Sequence, residues 1–205
     1  MKANAESKTE IQPIPEQLQY CTVCHGSQFK GDFATQAPNL TGLPAWYLAK
    51  QLNAFMNKER GVHAEDVSGH EMRAAAEALT PELIQLAVST ITKLPNTTKK
   101  PLSDWQQMVF KQEEPIEISL QNGKKLFTTC ASCHGENAQG NQSLNAPPLV
   151  GRNNWYIAKQ LNNFKHGIRG DNQSDIAGQQ MRAAANVLTT KQDIVDVVSY
   201  IEQLK

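Results

Sequence analysis

Apolar residues recur along this chain at helical spacing, and the same pattern is written twice. Leu48, Leu52 and Phe55 stand at i, i+4 and i+7, and Ile157, Leu161 and Phe164 repeat that spacing. Leu83, Ala87, Ile91 and Leu94 share one face of a later segment. That segment opens with Thr80-Pro81-Glu82: a capping hydroxyl, a proline pre-set for the first helical position, and an acid facing the positive helix end. Its counterpart follows Thr189 and Thr190 and carries Ile194, Val197, Ile201 and Leu204. No convincing two-residue alternation appears, and the joining stretches are rich in Gly, Pro and Asn. The pattern predicts an all-α fold of two tandem units, each with roughly three to five short helices and irregular loops.

The repeat can be read residue by residue at an offset of 109. Cys21, Cys24, His25 and Gly26 map onto Cys130, Cys133, His134 and Gly135. Trp46-Tyr47-Leu48-Ala49-Lys50-Gln51-Leu52-Asn53 maps onto Trp155-Tyr156-Ile157-Ala158-Lys159-Gln160-Leu161-Asn162. Phe55, Arg60 and Gly61 recur as Phe164, Arg169 and Gly170, and Met72-Arg73-Ala74 as Met181-Arg182-Ala183. Chance does not produce this, so the gene was duplicated. We expect a disordered tail over residues 1–12, a first domain over 13–95, a linker over 96–117 and a second domain over 118–205. A short helix is expected around Asp104 to Lys111, its apolar residues padding the seam between the domains.

Composition adds mainly exclusions. Twenty basic residues balance twenty acidic ones, ten of each on either side of residue 100. That balance gives no electrostatic reason to expect nucleic acid as a partner. No apolar run is long enough to cross a bilayer, although a loose membrane association is compatible with the sequence.

The four cysteines fall in two pairs, each followed at once by histidine: Cys21-Thr22-Val23-Cys24-His25 and Cys130-Ala131-Ser132-Cys133-His134. Two thiols on one helical turn can add across the vinyl groups of a haem, with the histidine as proximal iron ligand. Zinc ribbons place their cysteine pairs much closer together than these. A thioredoxin-like pair belongs beside a βαβ pattern that is missing here, and plain disulfides need no histidine. Two matched motifs therefore predict two haem c groups, linked through Cys21, Cys24, Cys130 and Cys133.

A second strong protein ligand closes the iron and suits it to electron transfer. Met72 and Met181 correspond, and each follows its own histidine, His25 or His134, by 47 positions. They are the expected axial partners. His70, two residues before Met72, is a rival in the first unit only, because Gln179 replaces it in the second. His63 and His166 read as surface residues. An iron-bound imidazole donates its other N–H to a fixed acceptor, and the loop prolines Pro38 and Pro147 stand where their carbonyls could accept it. Trp46, Tyr47, Trp155 and Tyr156 could cover the haem edges. Arg60 and Arg169 could neutralise propionates, with packing or a surface role as the competing reading for all six.

On these residues the chain resembles class I cytochromes c, and its two-unit layout resembles bacterial di-haem cytochromes of the c-4 type. The Cys-x-x-Cys-His motifs, the Pro-x-Leu loops, the Tyr-x-x-Lys-Gln-Leu-x-x-Phe helices and the late methionines all match. Gly123, Phe127 and Tyr200 resemble the crossed terminal helices of that fold. Ile14, Leu18 and Thr90 stand at those places in the first unit, where the contact must differ. The resemblance implies haems near the domain interface and delivery of electrons to a terminal oxidase or reductase. The expected function is a periplasmic electron carrier acting on redox protein partners, since thioether attachment of haem belongs to that compartment. Residues 1–12 carry no secretory signal, so export implies one already removed. An electron-transfer subunit of a dehydrogenase is the main alternative, and a di-haem peroxidase a weaker one.

Overall fold

The computed structural model describes residues 13–96 and 102–204. The expected N-terminal tail, residues 1–12, and residues 97–101 of the expected linker lie outside them. Among the described residues the fold is helical, with no β-strand and only two isolated β-bridges. The first unit holds α1 (Gln19–His25), α2 (Ala45–Met56), α3 (Val67–Ala76) and α4 (Pro81–Ile91). Helix α5 (Trp105–Phe110) follows, and the second unit holds α6 (Leu120–His134), α7 (Asn154–Lys165), α8 (Ile176–Ala185) and α9 (Lys191–Ile201).

The capping signals act as expected. The Thr80 hydroxyl accepts from the Leu83 N–H at the start of α4. At α9, Thr190 and Asp193 form a reciprocal capping box. Asp193 also accepts from the N–H and hydroxyl of Thr189.

In the second unit α6 crosses α9 closely. A Cβ on Gly123 would fall 2.1 Å from the Asp196 carbonyl oxygen, so only glycine permits the approach. Phe127 and Tyr200 pack beside that crossing with ring centroids 5.5 Å apart. Buried Asp196 ties down the start of α6, accepting from the Ser119 N–H at 2.8 Å and the Asn122 amide at 2.8 Å. In the first unit α1 has 7 residues against 15 for α6. Pro13 and Pro15 stand where the second unit has Asn122 and Lys124, and proline in a helix interior removes a hydrogen bond and clashes. A single 3-10 turn, Glu16–Leu18, replaces the missing helix. Leu18 is buried against Leu48, Ala87 and Ile91 instead.

The joining segment is attached mainly to the second unit. Trp105 is 3% exposed within the core that holds Trp155 and Val198. The Asn154 amide donates to the Leu102 carbonyl, and the Gln106 side chain accepts from the Ile116 N–H. Phe33 reaches that core from the first unit, edge-on to Trp155 with centroids 5.2 Å apart. The apolar residues of the segment thus cover α7 and α9, and the seam is closed chiefly by other residues.

Candidate cofactor sites and the seam between the units

Each Cys-x-x-Cys-His motif lies on the last turns of a helix, α1 or α6, so both thiols and the imidazole leave the same end. Gly26 (φ 76°) and Gly135 (φ 82°) then turn the chain out of the helix immediately after the histidine. The returning loop is pinned by a bridge, Asp32 to Ala37 in one unit and Asn141 to Ala146 in the other. That closure brings the next residue, proline, back over the histidine. His25 Nδ1 donates to the Pro38 carbonyl at 3.0 Å, and His134 Nδ1 to the Pro147 carbonyl at 2.7 Å. Both imidazoles are buried. Burial pushes their pKa values down, the bond to the proline carbonyl only partly opposing it, so both rings are held neutral.

With Nδ1 engaged, Nε2 is the ring nitrogen left for iron. In the second unit it lies 3.5 Å from Met181 Sδ, which faces it from α8. Met72 occupies the matching position on α3. Both methionine helices begin in the same way, Asp66 accepting from Gly69 N–H and Asp175 from Gly178 N–H. Arg73 holds α3 to the preceding loop, its Nε donating to the Gly61 carbonyl at 3.0 Å. None of the four cysteines is paired in a disulfide; Cys24 and Cys133 are exposed, Cys21 and Cys130 half-buried. Burial raises the pKa of Cys21 and pushes Cys130 up to about 11. Among the described residues no group of three or more His, Cys, Asp or Glu side chains converges on a point. A thiol pair, a neutral imidazole and a thioether facing it are the donor set that haem c requires, and the residues fit it.

The arginines expected beside propionates are buried in the seam. Arg60 Nη1 donates to Gln51 Oε1 at 2.5 Å and Arg169 Nη1 to Gln160 Oε1 at 2.8 Å. Each also crosses to the other unit: Arg60 Nη2 to Gln160 Oε1 at 3.1 Å, Arg169 Nη2 to Gln51 Oε1 at 2.9 Å. The Tyr156 hydroxyl accepts from Arg60 at 2.8 Å. The guanidiniums stack over Phe55 and Phe164. Burial disfavours the Arg60 charge, but Tyr156, Tyr47 and Asp66 outweigh it and raise the pKa. Burial likewise opposes ionisation of Tyr156, yet Arg60 and Arg169 pull its pKa down. Both Nε atoms, Arg60 and Arg169, remain buried without a partner. Two orphaned cationic donors are the provision an anionic carboxylate needs.

The other aromatics divide. Trp155 is 2% exposed in the core and Tyr156 is in the seam, whereas Trp46 and Tyr47 are half-buried. Trp46 lines a cavity of about 500 Å³ between the loop at Gly42 and that at Gly140. Half-buried His63 accepts from the Glu65 N–H, exposed His166 bonds the Asn162 carbonyl, and His70 is half-buried on α3.

The cytochrome c family model matches residues 17–108 and again 120–205. The chain belongs to the cytochrome c family. It carries two haem c groups, one for each motif, and electron transfer is the work of such di-haem members. Among its relatives, cytochrome c4 of Azotobacter vinelandii is 26% identical over 90% of this chain and 84% of its own. The thiosulfate dehydrogenase electron acceptor of Stutzerimonas stutzeri is 26% identical over 81% of this chain and 72% of its own. The reduced recombinant cytochrome c4 from Pseudomonas stutzeri superposes with a TM-score of 0.67 at 24% identity, covering 92% of this chain and 95% of that one. The tandem helical architecture is therefore that of a di-haem cytochrome of the c4 type.

Sequence reasoning missed several residues of this cytochrome. Gln51 and Gln160 were visible only as repeat members. Arg152, Asn153 and Lys159 make contacts that the repeat could not suggest. Lys159 Nζ crosses to Gln36 Oε1 at 3.1 Å and Ser68 Oγ at 2.8 Å. Burial lowers its pKa, partly offset by Asp66.

Proposed function

We propose that this protein is a periplasmic carrier of single electrons between respiratory donors and a terminal oxidase or reductase. The observation that carries the reading is the opposition of His134 Nε2 and Met181 Sδ, with the imidazole fixed from behind by Pro147. At the second site that arrangement would let the protein supply both iron ligands and leave no open position for a substrate, and the matching place of Met72 on α3 supports the same reading of the first, which disfavours a peroxidase. Haem iron, when bound, supplies a reversible one-electron change.

In this reading the chain divides into domains 13–95 and 118–205 joined by 96–117. Cys21, Cys24, Cys130 and Cys133 tether the cofactors, and His25, Met72, His134 and Met181 ligate them. Pro38 and Pro147 orient the imidazoles, and Arg60 and Arg169 receive propionates through their free Nε groups. Trp46 and Tyr47 shield the first site; Trp155 and Tyr156 back the second. Among the described residues no helix is long and apolar enough to cross a membrane. Redox partners of this kind dock over small, weak interfaces that release quickly.

A second reading, an electron-accepting subunit of a dehydrogenase, is supported by the similarity to the thiosulfate dehydrogenase electron acceptor of Stutzerimonas stutzeri. Pyridine haemochrome quantification with absorption spectroscopy tests the first. Two haems per chain are expected, with the weak near-infrared band of methionine-ligated ferric haem halved in Met72→Leu or Met181→Leu and absent in the double variant. A high-spin spectrum at either site in the wild type would refute the carrier. Co-purification with a dehydrogenase would favour the subunit.

A further inference from the structure

The seam joins the units unequally, and the inequality falls on the peptide group behind one histidine. His25 Nδ1 donates to the Pro38 carbonyl. The N–H of that same peptide unit belongs to Asn39, and it donates at 2.7 Å to Asn153 Oδ1 of the second unit. Asn153 is the N-cap of α7, the position where asparagine ordinarily accepts from its own helix, yet its side chain makes no capping bond. Its oxygen is spent across the seam instead. Arg152 holds the same loop, Nη1 donating to the Asn39 carbonyl at 3.0 Å and Nη2 to the Thr41 carbonyl at 2.6 Å. Asn39 and Thr41 are 2% and 0% exposed, so water does not compete for these groups.

The second unit has no such device. Pro147 is followed by Pro148, so the peptide that accepts from His134 has no N–H. The counterparts of Arg152 and Asn153 in the first unit are Leu43 and Pro44, neither of which has a polar side chain to reach back.

We infer that Asn153, braced by Arg152, is a positioning residue for His25: it polarises the Pro38–Asn39 peptide and thereby tunes the first site from the second unit. Hydrogen-bonding a peptide N–H makes its carbonyl a stronger acceptor, because bonds in a chain reinforce one another. A stronger acceptor at Nδ1 makes the imidazole a more basic ligand. A more basic ligand favours ferric iron, so Asn153 lowers the reduction potential at His25. The second site, behind Pro148, is untouched. This rests on His25 being an axial ligand, as proposed above.

The test is redox titration of the holoprotein and its Asn153→Ala variant, with the second wave identified by its displacement in a Met181→His background. The first wave should rise in Asn153→Ala and the second should stay. Asn153→Asp, which keeps an acceptor, should not raise it. In the ferrous protein the His25 Nδ1 proton should move upfield and the Asn39 amide should exchange faster in Asn153→Ala. In the wild type that amide should be slow to exchange, which can be measured whether or not a variant folds. Potentials that stay put, or two waves that shift together, would overturn the inference, as would a freely exchanging Asn39 amide. Intact methionine-ligated spectra alongside either result would leave the carrier function standing, whereas a wild type without them would remove its premise.

Discussion

Gln51 Oε1 lies 2.9 Å from Arg169 Nη2, a residue 118 positions later and in the other unit. The same oxygen also accepts from Arg60, so one amide serves two guanidiniums that are both buried. Leaving a buried charged donor unsatisfied costs about 1–3 kcal/mol, more than making the bond contributes. Gln51→Leu should therefore destabilise the holoprotein by about that amount, read from urea denaturation. Because Gln160 answers the same two arginines, Gln51→Leu and Gln160→Leu should be non-additive in a double-mutant cycle. Additive losses would mean that the four bonds do not act as one cluster.

The crossing of α6 and α9 makes a sharper demand. Gly123→Val would drive side-chain atoms into the Asp196 carbonyl, a backbone group that cannot swing aside. Overpacking of this kind costs about 1–3 kcal/mol. Thermal melts followed at the two haems should show the second unit loosening first. No equivalent site exists in the first unit, where Ile14 stands at the matching place.

Trp105 should matter as much as a residue of the second unit's own helices. Truncating a fully buried tryptophan costs about 3–5 kcal/mol, and Trp105→Ala should show a loss of that size. Hydrogen exchange should report it in α7 and α9 and much less in α2 and α4.

Asp193 provides a pH-dependent test. Burial works against its carboxylate, but bonds from Thr190, Thr189 and Asn122 outweigh it and lower the pKa below the usual 3.8. A depressed folded value means that the stabilisation is present above the unfolded pKa and is lost as pH falls through the folded one. Asp193→Asn should cost about 1 kcal/mol at pH 7, as loss of a helix cap does. Urea midpoints of the two proteins should draw together as pH falls from 3.8 through the lower folded pKa; a difference that stays constant over that fall would show that the carboxylate charge is not what caps α9.

Much of this was legible in the residues themselves. Cys-x-x-Cys-His fixes which atoms can meet, and the spacing from His134 to Met181 is matched by a contact in space. The loop prolines were readable because a carbonyl acceptor behind an iron-bound imidazole is a chemical need. The seam was not readable in the same way. Gln51 and Gln160 lie on the polar side of amphipathic helices, which one sequence cannot distinguish from a solvated face. Arg60 and Arg169 were noticed for their charge, but their partners come from another unit, and periodicity reports only on one helix at a time. Arg152 and Asn153 were invisible for the opposite reason: they depart from the repeat, and the repeat was the guide. Trp105 was assigned to the seam, although its burial against α7 and α9 depends on tertiary packing that local pattern does not encode.

The paired bonds of Gln51 and Arg169 with Gln160 and Arg60 have a consequence for how such a chain can arise. Each half offers one glutamine and one arginine, and each receives the other's, so the contact is isologous. A lone subunit bearing that pair would complement its own copy as a two-fold homodimer. Fusion of two such genes then frees the halves from identity, since a change in one is no longer imposed on the other. Arg152 and Asn153, whose counterparts in the first unit are Leu43 and Pro44, are changes that a symmetric dimer could not have made on one side alone.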